Sequence, residues 1–372
     1  MTVYIVMNAG LLFFLILSKY RIKLGHSHIS GMNLCKIFTF TILFLMMALR
    51  ASEVGVDTIA YSKIYKMIGE SPSLFNAMKN APLSAPVYVV MCRVLYFISK
   101  DPQFLIIVSA LLTNTGLMIF LNHCSDDFAL SAFCWSGLTL FYCSMNGSRQ
   151  CLSLVVLLNA LYALNLNLKS VKGWFLYLMA IGIHSTAAVG LVAVLGILLV
   201  EKVRNIHRVF VISAGICGAV SLLFSPLITL FVKIFPRYSM YLNGKSMYSI
   251  FRGTGGGRIA LLYLFLLGIV CLWMLIPQRE VDTIQRFHNR MMPSLVFCSI
   301  FGIVNCRNEL INRMLWYFLA LFVTFIPNTV LNCTRRYRGF LKAGIVMVLL
   351  IYSFLSLREN HNGVVPYVTF FS

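Results

Sequence analysis

Asn146-Gly-Ser-Arg-Gln150 and Ile183-His-Ser-Thr-Ala187, joined by an apolar run and a short linker with Lys169 and Lys172, decide how this chain is read. The flanking sequence is apolar enough for lipid, yet the two islands carry an arginine, two carboxamides and a histidine. Ionisable groups at membrane depth are costly, so an arginine and a histidine there mark a candidate functional site.

The rest of the chain says what surrounds them. Of its 372 residues, 59% are hydrophobic and 11% charged, with a mean hydropathy of +0.84. Globular proteins carry about 25% charged residues. Long apolar runs recur from end to end, which predicts an all-α polytopic membrane protein of about 11–12 transmembrane helices. No stretch is long and polar enough for a soluble domain, so residues 1–372 read as a single integral-membrane domain. Lys and Arg number 31 against 11 Asp and Glu. Much of that excess sets orientation, because basic residues collect in cytoplasmic loops. They sit in short loops and on no polar domain, which argues against nucleic-acid binding. The 11 cysteines contain no C-x-x-C and read as small buried hydrophobes.

The first apolar run, Val3 to Ser18, lacks a basic leader and a small-residue cleavage site, so it reads as a retained helix. The loop after it carries Lys19, Arg21, Lys23 and Lys36 and no acid, which places it in the cytoplasm and Arg50 outside. Asp57 is a good N-cap for a short interfacial helix over 57–69, within an extracytoplasmic loop of about 50–83. A second such loop covers 233–258. Further helices are expected near 85–99, 103–122, 128–145, 152–166, 174–200, 209–232, 259–276, 293–304, 314–331 and 343–357. Simple alternation over these spans puts Arg149 in the cytoplasm and Lys169 and Lys172 outside, against the charge rule. Broken or re-entrant helices within 128–200 would remove the conflict, and such backbone is tolerated where it lines a wet cavity.

Each polar group has a plain reading and a functional one. Arg149 either snorkels to headgroups from a helix end or binds phosphate as a planar fork, with Asn146 and Gln150 suited to sugar hydroxyls. His184, roughly 17 Å into its predicted helix, is either a packed side chain or a general base. Arg50 and Asp57 flank a Val-Gly-Val turn and make either a local pair and cap or a substrate contact. Arg93 lies in mid-helix with no neighbour to pair with, so it faces the interior or a cavity. Arg313 is an anchor or a ligand. The R-G-T-G-G-G-R loop, Arg252 to Arg258, is a hinge or a nest of amides for an anion. Asp126 and Asp127 are adjacent and form no Asp-x-Asp pair. No H-E-x-x-H or other metal pattern occurs, and neither metal nor cofactor is expected. Acids are missing from the apolar spans, so the embedded arginines point to an anionic partner, and in a membrane that is a lipid phosphate or diphosphate.

In order and spacing these islands resemble the EpsG family and related Wzy-type polymerases: Arg50, V-G-V-D-T-x-x-Y (Val54–Tyr61), N-x-x-R-Q (Asn146–Gln150), H-S-x-A (His184–Ala187), R-x-x-x-Y (Arg313–Tyr317) and a terminal Pro366-Tyr367. The family often has an aromatic where this chain has Ile183. The resemblance implies a GT-C-type glycosyltransferase in the bacterial inner membrane, its site facing the periplasm. It would join undecaprenyl-diphosphate-linked repeat units, one as donor and one as acceptor, into O-antigen or a related polysaccharide. It also implies a flippase and a chain-length regulator as partners. His184 and Asp57 are then the candidate bases. Arg50, Tyr61, Asn146, Arg149, Gln150, Arg252, Arg258 and Arg313 are candidate substrate contacts. An O-antigen ligase and a non-enzymatic flippase or transporter are the alternatives. A ligase usually carries its histidine late in the chain, and no internal repeat suggests a transporter.

Overall fold

The structure is a computed structural model that describes residues 1–24, 27–80, 85–234, 256–276 and 282–371. It divides into two compact units, residues 1–190 with 335–372, and residues 191–334. The first unit begins with α1 (Thr2–Leu17), a short antiparallel strand pair β1 (Arg21–Leu24) and β2 (Ser27–Ser30), and α2 (Gly31–Ala48). There follow α3 (Thr58–Glu70), α4 (Leu74–Asn80), α5 (Pro86–Ile98), α6 (Pro102–Cys124), α7 (Phe128–Gly137), α8 (Leu140–Asn146), α9 (Ser148–Leu166) and α10 (Val171–Ile183). The second unit holds α11 (Leu191–Val203), α12 (Ile206–Ile234), α13 (Gly256–Leu275), α14 (Thr283–Val304), α15 (Glu309–Leu319) and α16 (Phe322–Asn332). The chain then returns to the first unit as α17 (Arg335–Glu359).

Among the described residues, 7 helices are long and apolar enough to cross a membrane, or up to 9 if each of two bent pairs is one span. The helices α1, α5 and α10 are apolar but shorter. The protein is a multi-pass, essentially all-helical membrane protein. The strand pair after α1 is an addition that the apolar pattern did not predict.

The first unit is built around residues 128–155, every one of which is buried. This stretch is a broken span: α7 and α8 meet at 57°. The break falls at Thr139, whose φ of 66° is left-handed and stops the helical ladder. A broken helix frees backbone groups and is tolerated only where they are satisfied again. Here the Thr139 N–H reaches the Ser136 carbonyl at 2.8 Å. Side chains brace the bend: the Tyr142 hydroxyl receives Asn8 Nδ2 at 2.9 Å and lies 3.0 Å from Ser353 Oγ, while Ser136 Oγ donates to Asn8 Oδ1 at 2.8 Å. One polar knot thus ties α1, α7, α8 and α17 together.

Antiparallel α9 and α10 pack tightly, with Ser153 Oγ on the Ala180 carbonyl and Gly173 against Leu164. The arginine end of α9 therefore lies beside the histidine end of α10. The expected long helix 174–200 is not continuous. It stops at Ile183, turns through a 3-10 segment (Ser185–Gly190) and restarts as α11. His184 is consequently the C-cap of α10 and not a mid-helix residue.

A further correction concerns α5. Its C-terminal end lies at the Arg50 level, because Ser99 accepts from Tyr65 and Gln103, just beyond, donates to the Ala48 carbonyl at 2.7 Å. Its N-terminal end lies beside Arg149 and Gly182. Asn146 in turn touches Asp57, and α5 is not among the described helices long enough to cross a membrane. Arg149 thus lies at the Arg50 end of the unit, with Lys169 and Lys172 at the far ends of α9 and α10. That opposite end also holds the Lys342–Asp127 ion pair, 2.5 Å, which joins the start of α7 to α17. Arg93 is half-buried against α3. Its guanidinium caps the last turn of α3 at the Ile68 and Gly69 carbonyls, as a cation at a helix C-terminus should.

In the second unit, α14 starts ten residues earlier than expected, capped by Asp282 Oδ1 on the Gln285 N–H at 2.7 Å. Residues 283–292, outside the expected helices, are therefore helical. His288 is buried there, with Nδ1 on the Ile284 carbonyl at 2.9 Å and Nε2 on Thr324 Oγ1 at 3.1 Å. Helices α15 and α16 form the second bent pair, at 45°.

The Lys342–Asp127 pair is largely withdrawn from water, with 18% and 16% side-chain exposure. A double-mutant cycle with Asp127→Asn and Lys342→Met, followed by thermal unfolding in detergent, should return a coupling of about 0.5–3 kcal/mol. Additive effects would show that the pair does not hold α17.

Candidate functional site

The site grows from the loop between α2 and α3. Arg50 follows the end of α2 and is wholly buried. Its Nη1 donates to the Met47 carbonyl at 2.5 Å, while Nε and Nη2 have no hydrogen-bond partner. Burial pushes its pKa down to about 10, against the pull of Tyr367, Tyr4 and Tyr61, so it stays charged at neutral pH. The same burial raises the Tyr367 phenol.

The C-terminal tail closes over this loop. Ala51 N–H donates to the Val368 carbonyl at 2.9 Å, Phe370 N–H to Leu49 at 3.0 Å, and Gly55 N–H to Gly363 at 2.8 Å. Tyr367 reaches the Met46 carbonyl at 3.2 Å, and Tyr4 reaches Val364 at 2.7 Å. Gly55 adopts φ +97°, and a Cβ there would lie 2.5 Å from the Met145 carbonyl oxygen. Only glycine lets the turn approach α8 so closely.

That approach delivers the next residues. Asn146 Oδ1 accepts from the Asp57 N–H at 2.9 Å, and its Nδ2 lies 3.4 Å from Asn362 Oδ1 in the tail. Asp57 occupies the N-cap position of α3, but its carboxylate makes no capping bond, so the predicted cap is corrected. Arg149 opens α9, is 5% exposed and has a buried, unpartnered Nε. Its guanidinium lies 5.3 Å from the Tyr88 ring, and among the described residues no acid pairs with it. Tyr88 packs edge-on against Tyr61 at 6.5 Å, and Tyr61 lies near Arg50. Gln150 is buried beside Arg149. His184 Nδ1 lies 2.6 Å from Thr186 Oγ1.

Arg50, Asp57, Tyr61, Asn146, Arg149, Gln150 and His184 thus share one end of the first unit. Arg313, in α15 with its guanidinium 5.9 Å from the Trp316 ring, and Arg258, in the first turn of α13, belong to the second unit. Arg252 and most of the expected glycine nest lie outside the described residues. Tyr88, Tyr4 and Asn362 were missed, because nothing local distinguishes them from packing residues. Among the described residues no three His, Cys, Asp or Glu side chains are grouped to hold a metal ion.

A known family model matches the chain: the EpsG family model covers residues 33–369, nearly the whole chain. The chain belongs to the EpsG family. Membership supports a polysaccharide-polymerase type of function and a glycosyltransferase-like role. No curated protein and no solved structure matches the chain significantly. In this EpsG-family protein, the islands at Arg50, Asn146–Gln150 and His184 meet at one end of the first unit, while Arg313 and Tyr317 lie in the second.

Gly55→Ala tests that assembly. A side chain there meets both a left-handed φ and a backbone oxygen, so a loss of about 1–3 kcal/mol is expected as a lower Tm in detergent. An unchanged Tm would show that the turn is not held against α8.

Proposed function

We propose that this protein is a metal-independent membrane glycosyltransferase that polymerises undecaprenyl-diphosphate-linked oligosaccharide repeat units into a surface polysaccharide. The observation that carries the reading is Arg149, buried and with no acid partner among the described residues, in a family tied to polysaccharide polymerisation. A guanidinium fork matches a diphosphate. The Tyr88 ring holds its face, and Asn146 and Gln150 supply donors and acceptors for the neighbouring sugar.

The chemistry follows from those groups. The acceptor hydroxyl oxygen forms a bond to the donor's anomeric carbon as the bond to the diphosphate oxygen breaks, with inversion. The departing diphosphate needs no proton, only stabilisation of its developing charge, which Arg149 supplies. The acceptor's proton passes to a base. His184 is our first assignment, since Thr186 engages Nδ1 and orients the ring so that Nε2 takes the proton. Asp57 is the second.

Orientation supports an outward-facing site in the bacterial inner membrane. The end of the first unit opposite Arg149 carries Lys19, Lys36, Lys169, Lys172, Arg335, Arg336 and Lys342, as cytoplasmic ends do. A flippase would supply units to the outward side, and a chain-length regulator would act on the product.

Arg149→Ala should lower polymerisation by about 10²-fold or more. Arg149→Lys, which keeps the charge and loses the fork, should remain well below wild type. Surface-glycan gels would show single-repeat products, and normal long chains from folded Arg149→Ala protein would overturn the assignment. For His184→Ala a drop of about 10²–10⁴-fold is expected. Wild-type polymerisation by that variant would move the base role to Asp57, which Asp57→Asn then tests.

A further inference from the structure

We propose that an open cleft on the other side of α3 from Arg149 binds the saccharide of a lipid-linked chain, beyond the sugars that react. The inference rests on the polymerase reading for its biological meaning, while the binding itself is tested separately. The cleft measures about 680 Å³, within the size range of ligand sites.

Helix α3 separates the two places by its own periodicity. Ile59, Ser62, Lys63 and Lys66 recur at helical spacing and line the cleft. Tyr61 and Tyr65 lie on its other face, where Tyr61 meets Tyr88 and Tyr65 donates to the Ser99 carbonyl. The opposite walls are the start of α6, with Asp101, and the C-terminal tail, with Phe370. The backbone bridge between Arg50 and Thr369 that shuts Arg50 in also forms a side of the cleft.

Its chemistry differs from that around Arg149. Lys63 and Lys66 are balanced by Glu53 and Asp101, so no surplus positive charge waits for a diphosphate. Hydroxyl, carboxylate and ammonium groups together offer donors and acceptors, and Ile59 and Phe370 give apolar surface. A sugar chain presents that combination, with hydroxyl edges and apolar C–H faces. An enzyme that joins two lipid-linked glycans must hold two saccharides, and α3 keeps them apart.

The test uses the full-length protein in detergent and, as probe, the repeat-unit oligosaccharide released by mild acid from the source bacterium's lipid-diphosphate-linked repeat units. Binding is read by calorimetry, and polymer length by gel. Ser62→Trp fills the cleft, and the Lys63→Ala/Lys66→Ala pair leaves its shape while removing donors. Both should bind the oligosaccharide at least about 10-fold more weakly and make shorter polymer. Arg149→Ala should bind it as wild type does while making no polymer. No binding to wild-type protein, or unchanged binding by both cleft variants, overturns the cleft. Normal polymer from Arg149→Ala with binding lost in the cleft variants would remove Arg149 from the diphosphate role, normal polymer from a strain lacking the protein would overturn the polymerase reading, and either leaves the saccharide site standing.

Discussion

Two guanidinium groups withdrawn from water without a carboxylate set the terms for the first unit. Desolvating an ion costs several kcal/mol even after the protein relaxes. Around Arg50 the visible compensation is one carbonyl bond from Met47 and a ring of tyrosines. At Arg149 it is the face of Tyr88, worth about 2 kcal/mol when desolvated. Neither offset covers the cost, and both arginines keep nitrogen atoms without partners. A site left short of negative charge in this way is suited to an anion that brings its own.

Holding such groups in place demands rigid surroundings, and the broken span supplies them. Were 128–155 one straight helix, Asn146 and Arg149 would lie along a single wall. The bend at Thr139 turns α8 so that its last residue meets the Asp57 N–H. The knot of Asn8, Ser136, Tyr142 and Ser353 fixes that bend from behind. The C-terminal tail then seals the loop at Arg50, so residues from the two extremes of the chain meet at one place.

Much of this was legible in advance, and the exceptions have physical causes. The ordered islands and the break within 128–200 could be read because polar groups inside apolar runs are rare and conspicuous. For Arg93 the sequence left interior or cavity open, because its partners, the last carbonyls of α3, belong to another helix and leave no mark in its own neighbourhood. The helix carrying His184 was drawn too long because Ser, Thr and Ala after it are ordinary in a membrane helix. For α5, an apolar run of 13 residues cannot by itself say whether it crosses the bilayer or lies along one face of it. Simple alternation put Arg50 and Arg149 at opposite ends, whereas the Asn146–Asp57 contact brings them to one.

By itself, the sequence determined the membrane class, the helical content and which residues were out of place in lipid, because these depend on composition and local period. The tertiary structure alone decided which of those residues meet. It gathered Arg50, Asp57, Asn146, Arg149 and His184 at one end of the first unit and placed Arg258 and Arg313 in the other unit. It also recruited Tyr4, Tyr88 and the tail, whose roles arise from contacts across 60 to 360 residues of chain. Such contacts are set by how helices bend, stop and pack, and no local pattern encodes them.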